Sequence, residues 1–259
     1  MTDFTYKLEN IQTDALTLDY FLVPWDTEIL EQPVAEIRRM EIREPEAAGR
    51  DYHTFRRWCE KQVITLCNCR IAHERLVESM FLEAQGFRFI ELNYCPQLNK
   101  LQELELVDDT ILVQPADHQD RELLAEMAGN VFQHGRFHQD PRLGTMLGNY
   151  RYRKWLLNAF EQPHQQVITC VLNGEIIAFF VVEYPEQSHC FWSLVGLAPG
   201  KQGQGLGKRV WRTMLRKHQQ DGIDTIVTSI SSHNIAVFNL YVSLGFRFPK
   251  PHAIFHWRP

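Results

Sequence analysis

The sequence predicts an α+β fold, in which helices pack on a mixed sheet. Three features of the sequence support this prediction. Residues 166–184 contain Asn173-Gly174 between two β-rich flanks, a strong signal for a two-residue hairpin turn. Apolar residues recur at helical spacing both before and after this hairpin. A glycine-rich stretch, GKQGQGLGKR at residues 200–209, lies between a predicted strand and a predicted helix. Strands and helices that alternate in this way predict helices packed against a sheet.

The elements of the second half of the chain follow from local patterns. Leu123, Leu124, Met127, Ala128 and Val131 give residues 117–132 a helical stripe, and the stripe after the glycines ends at Asp221-Gly222. We predict helices at 117–132, 145–161, 206–220 and 234–244, the hairpin at 166–184, and strands at 189–197, 225–231, 246–248 and 253–257.

The first half of the chain is predicted to contain strands near 16–23, 34–42, 63–69 and 87–95, and helices at 47–61 and 72–85. Here FLEAQGFRF at 81–89 aligns without gaps with LYVSLGFRF at 240–248. Either both are examples of a common helix–glycine–strand junction, or the first is a decayed copy of the second. Leu82 stands where Tyr241 stands, so the first copy has no hydroxyl there. We predict two domains, 1–107 and 108–259.

Composition excludes several classes of protein. The net charge of −5 and the pI of about 6.1 argue against a nucleic-acid-binding protein, which needs a basic surface. The six cysteines have neither CxxC nor zinc-finger spacing, so we predict reduced core or half-buried residues and no metal site. The first ten residues, MTDFTYKLEN, lack a secretory signal, and no apolar stretch reaches the length of a membrane span. We therefore expect a cytoplasmic protein, a monomer or a homodimer.

The glycine-rich stretch fits only one of three phosphate-binding loops. A Walker loop needs a glycine where Gln202 stands and a Ser or Thr where Arg209 stands. A dinucleotide fingerprint that begins at Gly203 needs a third glycine where Lys208 stands. The pattern Gln202-x-x-Gly205-x-Gly207, after a strand and at the start of a helix, places unpaired N–H groups where an anion can bind.

This loop resembles the acyl-CoA pyrophosphate loop of the GNAT superfamily of N-acyltransferases. A second motif, Asn234-x-x-Val237-x-x-Leu240-Tyr241-x-x-x-Gly245-Phe246, follows at that family's spacing. The resemblance covers about residues 108–259 and implies a GNAT fold with a splayed central sheet. If the first of the two aligned segments is a decayed copy, a degenerate GNAT-like half-domain precedes it.

The resemblance implies acetyl-CoA as co-substrate and assigns residues to it. The pantetheine arm would pair with the backbone of Val195 and Leu197 by strand addition. The amides of Gln202, Gly203, Gln204, Gly205, Leu206, Gly207 and Lys208 would bind the pyrophosphate. Lys208 and Arg209 are candidates for additional charge, and Asn234 for a side-chain contact to the arm. Asn is also a good helix N-cap, and the two roles are compatible.

Two residues are candidates for the chemistry. Tyr241 is the predicted general acid, because a phenol can protonate the leaving thiolate or donate a hydrogen bond to it. The alternative for Tyr241 is a core residue of its helix. Glu183 is the candidate general base, through a water; the alternative is an exposed strand-end carboxylate. None of the eleven histidines stands out.

The acceptor is predicted to bind over the loop at 135–141, where Arg136 and Phe137 are the candidate contacts and Arg136 could pair with a phosphate or carboxylate. VFQHGRFHQD and PWDTEILEQPVAEI resemble stretches of nucleotide-sugar N-acetyltransferases, typified by the TDP-fucosamine acetyltransferase. We therefore predict transfer of acetyl to a primary amine of a small molecule, with an amino-sugar nucleotide as the candidate acceptor. The alternatives are a protein or peptide N-acetyltransferase and a non-catalytic acyl-CoA-binding module.

Overall fold

The computed structural model describes residues 7–107 and 109–259. Residues 1–6, part of the segment predicted to lack a signal, and Asp108, the first residue of the predicted second domain, lie outside the described residues. The chain divides into two compact units. We call Tyr94–Pro249 the catalytic unit, and the residues up to Asn93 together with Lys250–Pro259 the N-terminal unit.

The N-terminal unit is a sheet with three helices. Its elements in chain order are β1 (Glu9–Gln12), β2 (Leu16–Leu22), α1 (Pro24–Leu30), β3 (Val34–Ile42), α2 (Pro45–Lys61), β4 (Leu66–Ala72), α3 (Leu76–Ala84) and β5 (Arg88–Tyr94). The helix α1 was not predicted; Pro at its first turn fits a helix start.

The catalytic unit holds a second sheet and five helices of the described chain. Its elements are β6 (Gln97–Leu98), β7 (Leu112–Pro115), α4 (Arg121–Val131), α5 (Arg136–Gln139), α6 (Thr145–Ala159), β8 (Gln165–Leu172), β9 (Glu175–Glu186), β10 (His189–Leu197), α7 (Leu206–Gln220), β11 (Thr225–Thr228), β12 (Ile230–Ser231) and α8 (Ile235–Ser243). The last strand of the chain, β13 (His252–Trp257), belongs to the N-terminal unit.

The catalytic sheet has the strand order β6-β11-β10-β9-β8-β7. Asn173 and Gly174 both have positive φ, of 52° and 79°, so the predicted hairpin turn between β8 and β9 is present. One predicted strand, 246–248, is wrong: it is reduced to an isolated bridge between Arg247 and Gln97. With a two-residue strand as neighbour, the segment has too little backbone to pair with.

In the N-terminal sheet the order is β1-β2-β3-β4-β13-β5, so the last strand of the chain lies between β4 and β5. The sheet contains a parallel pair, β3 and β4, connected by α2. The connection from β3 to α2 is short, contains no glycine and carries Glu44 and Glu46 at the helix start. This connection therefore lacks the glycine-rich stretch that precedes α7 in the catalytic unit.

The aligned segments of the two units have the same local geometry. Gly86 and Gly245 each follow a helix with a positive φ, 85° and 87°, and each precedes a buried phenylalanine. The amide of Phe87 donates to the carbonyl of Leu82 at 2.9 Å, and the amide of Phe246 donates to that of Tyr241 at 3.0 Å. A left-handed glycine at a helix end explains both junctions. Whether they also share an origin, and whether the N-terminal unit is a degenerate GNAT-like domain, stay predictions.

The cysteines lie where the sequence analysis placed them. Five are buried, Cys95 is half-buried, and no disulfide joins any pair within the part of the chain that the structure describes. Burial raises the pKa of Cys170 to about 12, so this thiol is not a nucleophile. Among residues 7–107 and 109–259 there is no cluster of side chains suited to a metal ion. Over the same residues, no helix combines the length and the apolar character that crossing a membrane requires.

Candidate active site

The centre of the catalytic sheet opens between two parallel strands. β10 and β11 pair from His189 opposite Thr225 to Trp192 opposite Thr228, and β11 ends there. β10 continues to Leu197, paired on its other edge with β9. We call the gap beside residues 193–197, beyond Trp192 and Thr228, the fork. It is the splayed sheet that the sequence analysis predicted.

A β-bulge marks the start of the fork. The register of β10 against β9 shifts between Trp192 and Leu194, so Ser193 is the extra residue. The hydroxyl of Thr228 donates to the carbonyl of Trp192 at 2.9 Å and joins the two strands at their last paired position. The strand therefore changes direction where its parallel partner ends.

The open edge of β10 carries the backbone of both residues predicted to hold the pantetheine arm. The amide of Ala198 donates to Ile177 on β9, so N–H groups at even-numbered positions face β9. Since successive N–H groups on a strand point to opposite edges, those of Val195 and Leu197 face the fork. This geometry suits strand addition by an amide-bearing chain.

Trp192, at the base of the fork, is fixed by a buried histidine. Its indole N–H donates to Nε2 of His218 at 2.9 Å, and both side chains are fully buried. Nε2 therefore accepts and the imidazole is neutral. Burial lowers the pKa of His218 to about 4.

This buried imidazole makes the stability of the protein dependent on pH. Above about pH 6.5, His218 is neutral in both the folded and the unfolded chain. As pH falls from 6.5 toward 4, only the unfolded chain takes up a proton at this residue, so stability falls, by about 3 kcal/mol in all. In His218→Gln the side-chain oxygen can still accept a hydrogen bond from Trp192. We expect this variant to reduce the pH dependence of the free energy of unfolding, measured by urea unfolding between pH 7 and 4. If the free energy of unfolding of the variant fell with pH as steeply as that of the wild type, other groups would cause the loss of stability in acid.

The glycine loop has the backbone conformation that the sequence analysis requires. Gly200, Gly203 and Gly205 have φ of 77°, 74° and 74°, and a Cβ added at any of them meets no atom within 4 Å. Glycine is needed here for the left-handed backbone and not for lack of space. Gly205 is the N-cap of α7, and no side chain within the described residues caps this helix. Its first N–H groups are thus available to an anion.

The basic residues near this loop differ in their partners. Arg209 forms a bidentate ion pair with Asp109, at 2.9 and 2.7 Å, and Lys201 pairs with Glu175 at 2.7 Å. Arg209 holds the pKa of Asp109 at about 2. Lys208 is exposed in the first turn of α7. Of the two cations predicted to supply charge to phosphates, Lys208 is the better placed, because Arg209 is already paired.

Asn234 is the N-cap of α8, and its Oδ1 accepts from the amide of Val237 at 3.2 Å. The predicted capping role is therefore confirmed. A contact to the CoA arm would use the other atom of the amide group, the nitrogen, and stays a prediction.

Tyr241 is buried beside the fork. Its ring, 1% exposed, packs against Phe246 at 4.7 Å and edge-on to Trp211 at 6.4 Å between centroids. Burial raises the pKa of Tyr241 to about 12, and the nearby polar groups of Trp211 and Thr228 act in the opposite direction. Because Thr228 is the last residue of β11, the phenol lies next to the point where the strands separate.

Glu183 lies on β9 opposite Phe191, before the fork begins. One carboxylate oxygen accepts from Nε2 of Gln165 on β8 at 2.6 Å. The structure directs this carboxylate toward β8, and Tyr241 lies on the other side of the sheet, packed among α7 and α8 residues. The two candidate catalytic residues are therefore not brought together by these contacts.

The acceptor loop begins where α4 meets β10. A Cβ at Gly196 would lie 3.1 Å from Cγ2 of Val131, so the end of α4 touches the strand that borders the fork. The next residue, Phe132, stacks on Tyr152 of α6 at 4.4 Å. The loop that follows therefore begins beside the strand that borders the fork.

Arg136 and Phe137 lie in the short helix α5, which the sequence analysis treated as loop. Phe137 is 2% exposed, and its ring supports two guanidinium groups, Arg136 at 4.9 Å and Arg151 at 5.2 Å. Sequence reasoning missed Arg151, because only the packing of α5 against α6 brings it to the ring of Phe137. Buried Asp140, paired with Arg142 at 2.8 Å, holds the end of α5.

Comparison with known proteins agrees with this geometry. Residues 131–246 match the model of the acetyltransferase (GNAT) family. The matched residues lie within the catalytic unit and include β10, the glycine loop and Tyr241.

Curated relatives match only parts of the chain. The spore coat polysaccharide biosynthesis protein SpsD of Bacillus subtilis is 23% identical over 145 residues, 56% of this chain and 50% of SpsD. A mycothiol acetyltransferase of Frankia casuarinae is 31% identical over 64 residues, 25% of this chain and 19% of that protein. The chain thus spans half the length of the first relative, and less of the second.

Solved structures resemble the whole chain. A tandem GNAT protein from the clavulanic acid biosynthesis pathway has a TM-score of 0.62 at 11% identity, over 98% of this chain and 84% of that one. A GCN5-related N-acetyltransferase from Sphaerobacter thermophilus has a TM-score of 0.65 at 10% identity, over 96% and 82%. The predicted GNAT fold is confirmed.

Proposed function

We propose that the protein transfers the acetyl group of acetyl-CoA to a primary amine on a small, anionic acceptor, such as an amino-sugar nucleotide. The fork is the observation that best supports acetyl transfer. Its open edge at Val195 and Leu197 leads directly to the left-handed glycines and the uncapped start of α7. This is one continuous surface of backbone donors. It suits a ligand with amide groups followed by a diphosphate.

Each part of this site would have its own role in the transfer. The amides from Gln202 to Lys208 would bind the pyrophosphate, and the edge of β10 would hold the arm. An N–H of this edge would polarise the thioester carbonyl, an oxyanion-type contact. Tyr241, at the end of β11, would donate to the sulfur as the C–S bond breaks.

The anionic acceptor is supported by the two arginines on Phe137. Their guanidinium groups converge on one ring beside the loop that borders the fork. Arg binds phosphate and carboxylate through paired N–H groups. The resemblance to nucleotide-sugar acetyltransferases and the polysaccharide biosynthesis name of one relative point to the same class.

The experiment is an assay of free thiol with acetyl-CoA and a panel of amino-sugar nucleotides, peptides and polyamines. We expect release of CoA with amino-sugar nucleotides. Turnover with peptides alone would contradict the acceptor class and support a protein N-acetyltransferase. Binding of CoA with no turnover on any amine would support the non-catalytic module.

Removal of one guanidinium group should weaken binding of the acceptor and leave binding of the cofactor unchanged. We expect Arg136→Gln to raise KM for a phosphate-bearing acceptor about 10-fold, the loss of one charged hydrogen-bond pair, with acetyl-CoA affinity unchanged. The matched control is Arg153→Gln, which removes the same charge from α6 at a residue paired with Glu122. Steady-state kinetics with both variants test this, and equal KM values in the two would count against the assignment.

A further inference from the structure

The ring of Phe179 lies over the strand that borders the fork, and the proposed function gives it no role. Phe179 is on β9, directly opposite Gly196 on β10, and its side chain is fully buried. A Cβ at Gly196 would lie 2.6 Å from Cε1 and 2.7 Å from Cζ of this ring. The tip of the ring therefore occupies the place that a side chain at position 196 would take. We propose that Phe179 limits the acyl group of the donor to acetyl, an inference that rests on the proposed function.

Two residues at the end of α4 hold this ring in place. Cγ2 of Val131 lies 3.1 Å from the same Cβ position. Phe132 meets Phe179 edge-on, with ring centroids 6.3 Å apart and ring planes at 71°, and is itself stacked on Tyr152. A close-packed core of this kind resists displacement of its side chains. We call Val131, Phe132 and Phe179 the acyl wall.

The acyl wall and Tyr241 lie on opposite faces of the catalytic sheet. Val195 and Leu197 pack against the core that contains Tyr241, whereas Phe179 belongs to the core formed with α4 and α6. Since side chains alternate along a strand, position 196 faces α4 and α6. A ligand on the open edge of β10 therefore has the phenol on one side and the acyl wall on the other.

The thioester carbon has three substituents in one plane, and the proposed function directs two of them. The oxygen would accept from an N–H on the open edge of β10, and the sulfur would point to Tyr241. The acyl group is then directed away from Tyr241, to the face where the acyl wall lies. The arm enters from the glycine loop past Leu197, so the thioester at its end lies nearest Val195, beside Gly196.

An acyl chain longer than acetyl would need the space that the tip of the Phe179 ring occupies. The ring is enclosed by the rest of the acyl wall, and the backbone of β10 is paired with β9 along this stretch. One methylene group that does not fit an apolar pocket costs about 10- to 200-fold in discrimination. The acyl wall therefore selects acetyl against propionyl and longer donors.

The test measures binding of the donors by calorimetry and needs no acceptor. We expect the wild-type protein to bind propionyl-CoA at least about 10-fold more weakly than acetyl-CoA. Phe179→Leu keeps the side-chain atoms up to Cδ and lacks the Cε and Cζ atoms that lie over Gly196. In this variant the ratio of the two Kd values should fall below about threefold. A ratio that is the same in both proteins would overturn the inference.

Phe160→Leu is the matched control for a lost ring. Phe160 follows α6 as its C-cap and packs against the same core, so the change removes the same atoms from another part of that core. We expect its ratio of Kd values to stay at the wild-type value. A ratio that fell equally in both variants would overturn the inference, because general loosening of the core would then admit the longer donor.

Two further variants test the same space. In Phe179→Leu/Gly196→Ala the new methyl group lies where the ring tip was, so the ratio of Kd values should return toward the wild-type value; a ratio that stayed low would contradict the inference. If urea unfolding shows that Phe179→Leu does not fold, Phe132→Leu removes the half-buried support of the ring and should lower the ratio in the same direction. A wild-type protein that binds neither donor would instead refute the proposed function.

Discussion

Gly205→Asp abolishes binding of acetyl-CoA and leaves the chain folded: this is the largest effect that the structure predicts. Position 205 is open, so the new side chain meets no atom, but its carboxylate lies at the N-terminus of α7 where the pyrophosphate would bind. Two unit charges about 4 Å apart near a protein surface repel by about 4 kcal/mol. We therefore expect affinity to fall by at least about 100-fold in calorimetry, less at high salt.

Gly205→Asn is the matched control for this variant. It has the same shape and imposes about the same strain on a left-handed backbone, about 1 kcal/mol, without the charge. We expect the two variants to unfold at similar urea concentrations and only the Asp variant to lose binding. Affinity equal to wild type in a folded Gly205→Asp protein would refute the anion site at this loop.

Tyr241→Phe is expected to lower kcat about 100- to 1000-fold with the Kd for acetyl-CoA unchanged. The pKa of Tyr241, about 12, lies well above that of a thiol, about 8.5. Complete transfer of its proton to the thiolate is therefore uphill, and the phenol should act chiefly as a hydrogen-bond donor to the developing charge. Steady-state and single-turnover kinetics at saturating acetyl-CoA measure the effect.

Tyr94→Phe is the control for a lost hydroxyl. Tyr94 is half-buried and packs against Phe238 on the same helix as Tyr241, at 5.6 Å. We expect it to keep wild-type kcat. Because the phenol of Tyr241 stays protonated up to high pH, the kcat–pH profile of wild type should show no limb for it between pH 6 and 10. Unchanged turnover in Tyr241→Phe would leave this residue with a core role alone.

Local signals explain what the sequence predicted well. Asn173-Gly174 specifies a turn that needs two positive φ angles, and the structure has both. Gly205 before an amphipathic stripe specifies the start of α7, and Asn234 specifies the cap of α8. Each of these features depends on a few neighbouring residues, so a single sequence contains them.

Features that depend on distant contacts were missed. The strand predicted at 246–248 has β-rich residues but is only bridged at Arg247. Arg151 reaches the ring of Phe137 only through the packing of α6 on α5, and Phe132 stacks on Tyr152 of α6 in the same way. No periodicity encodes these pairs. The acceptor side of the site consists mostly of such pairs, which is why it was the least predictable part.

The place of β13 has a consequence for biosynthesis. The N-terminal unit is translated first, yet the strand between β4 and β5 comes from the last residues of the chain. Its sheet therefore cannot close on the ribosome until β13 has emerged, about 160 residues after β5, and the edges of β4 and β5 stay unpaired until then. A fragment cut off before residue 250 should aggregate, and a peptide of residues 250–259 added in trans should rescue it.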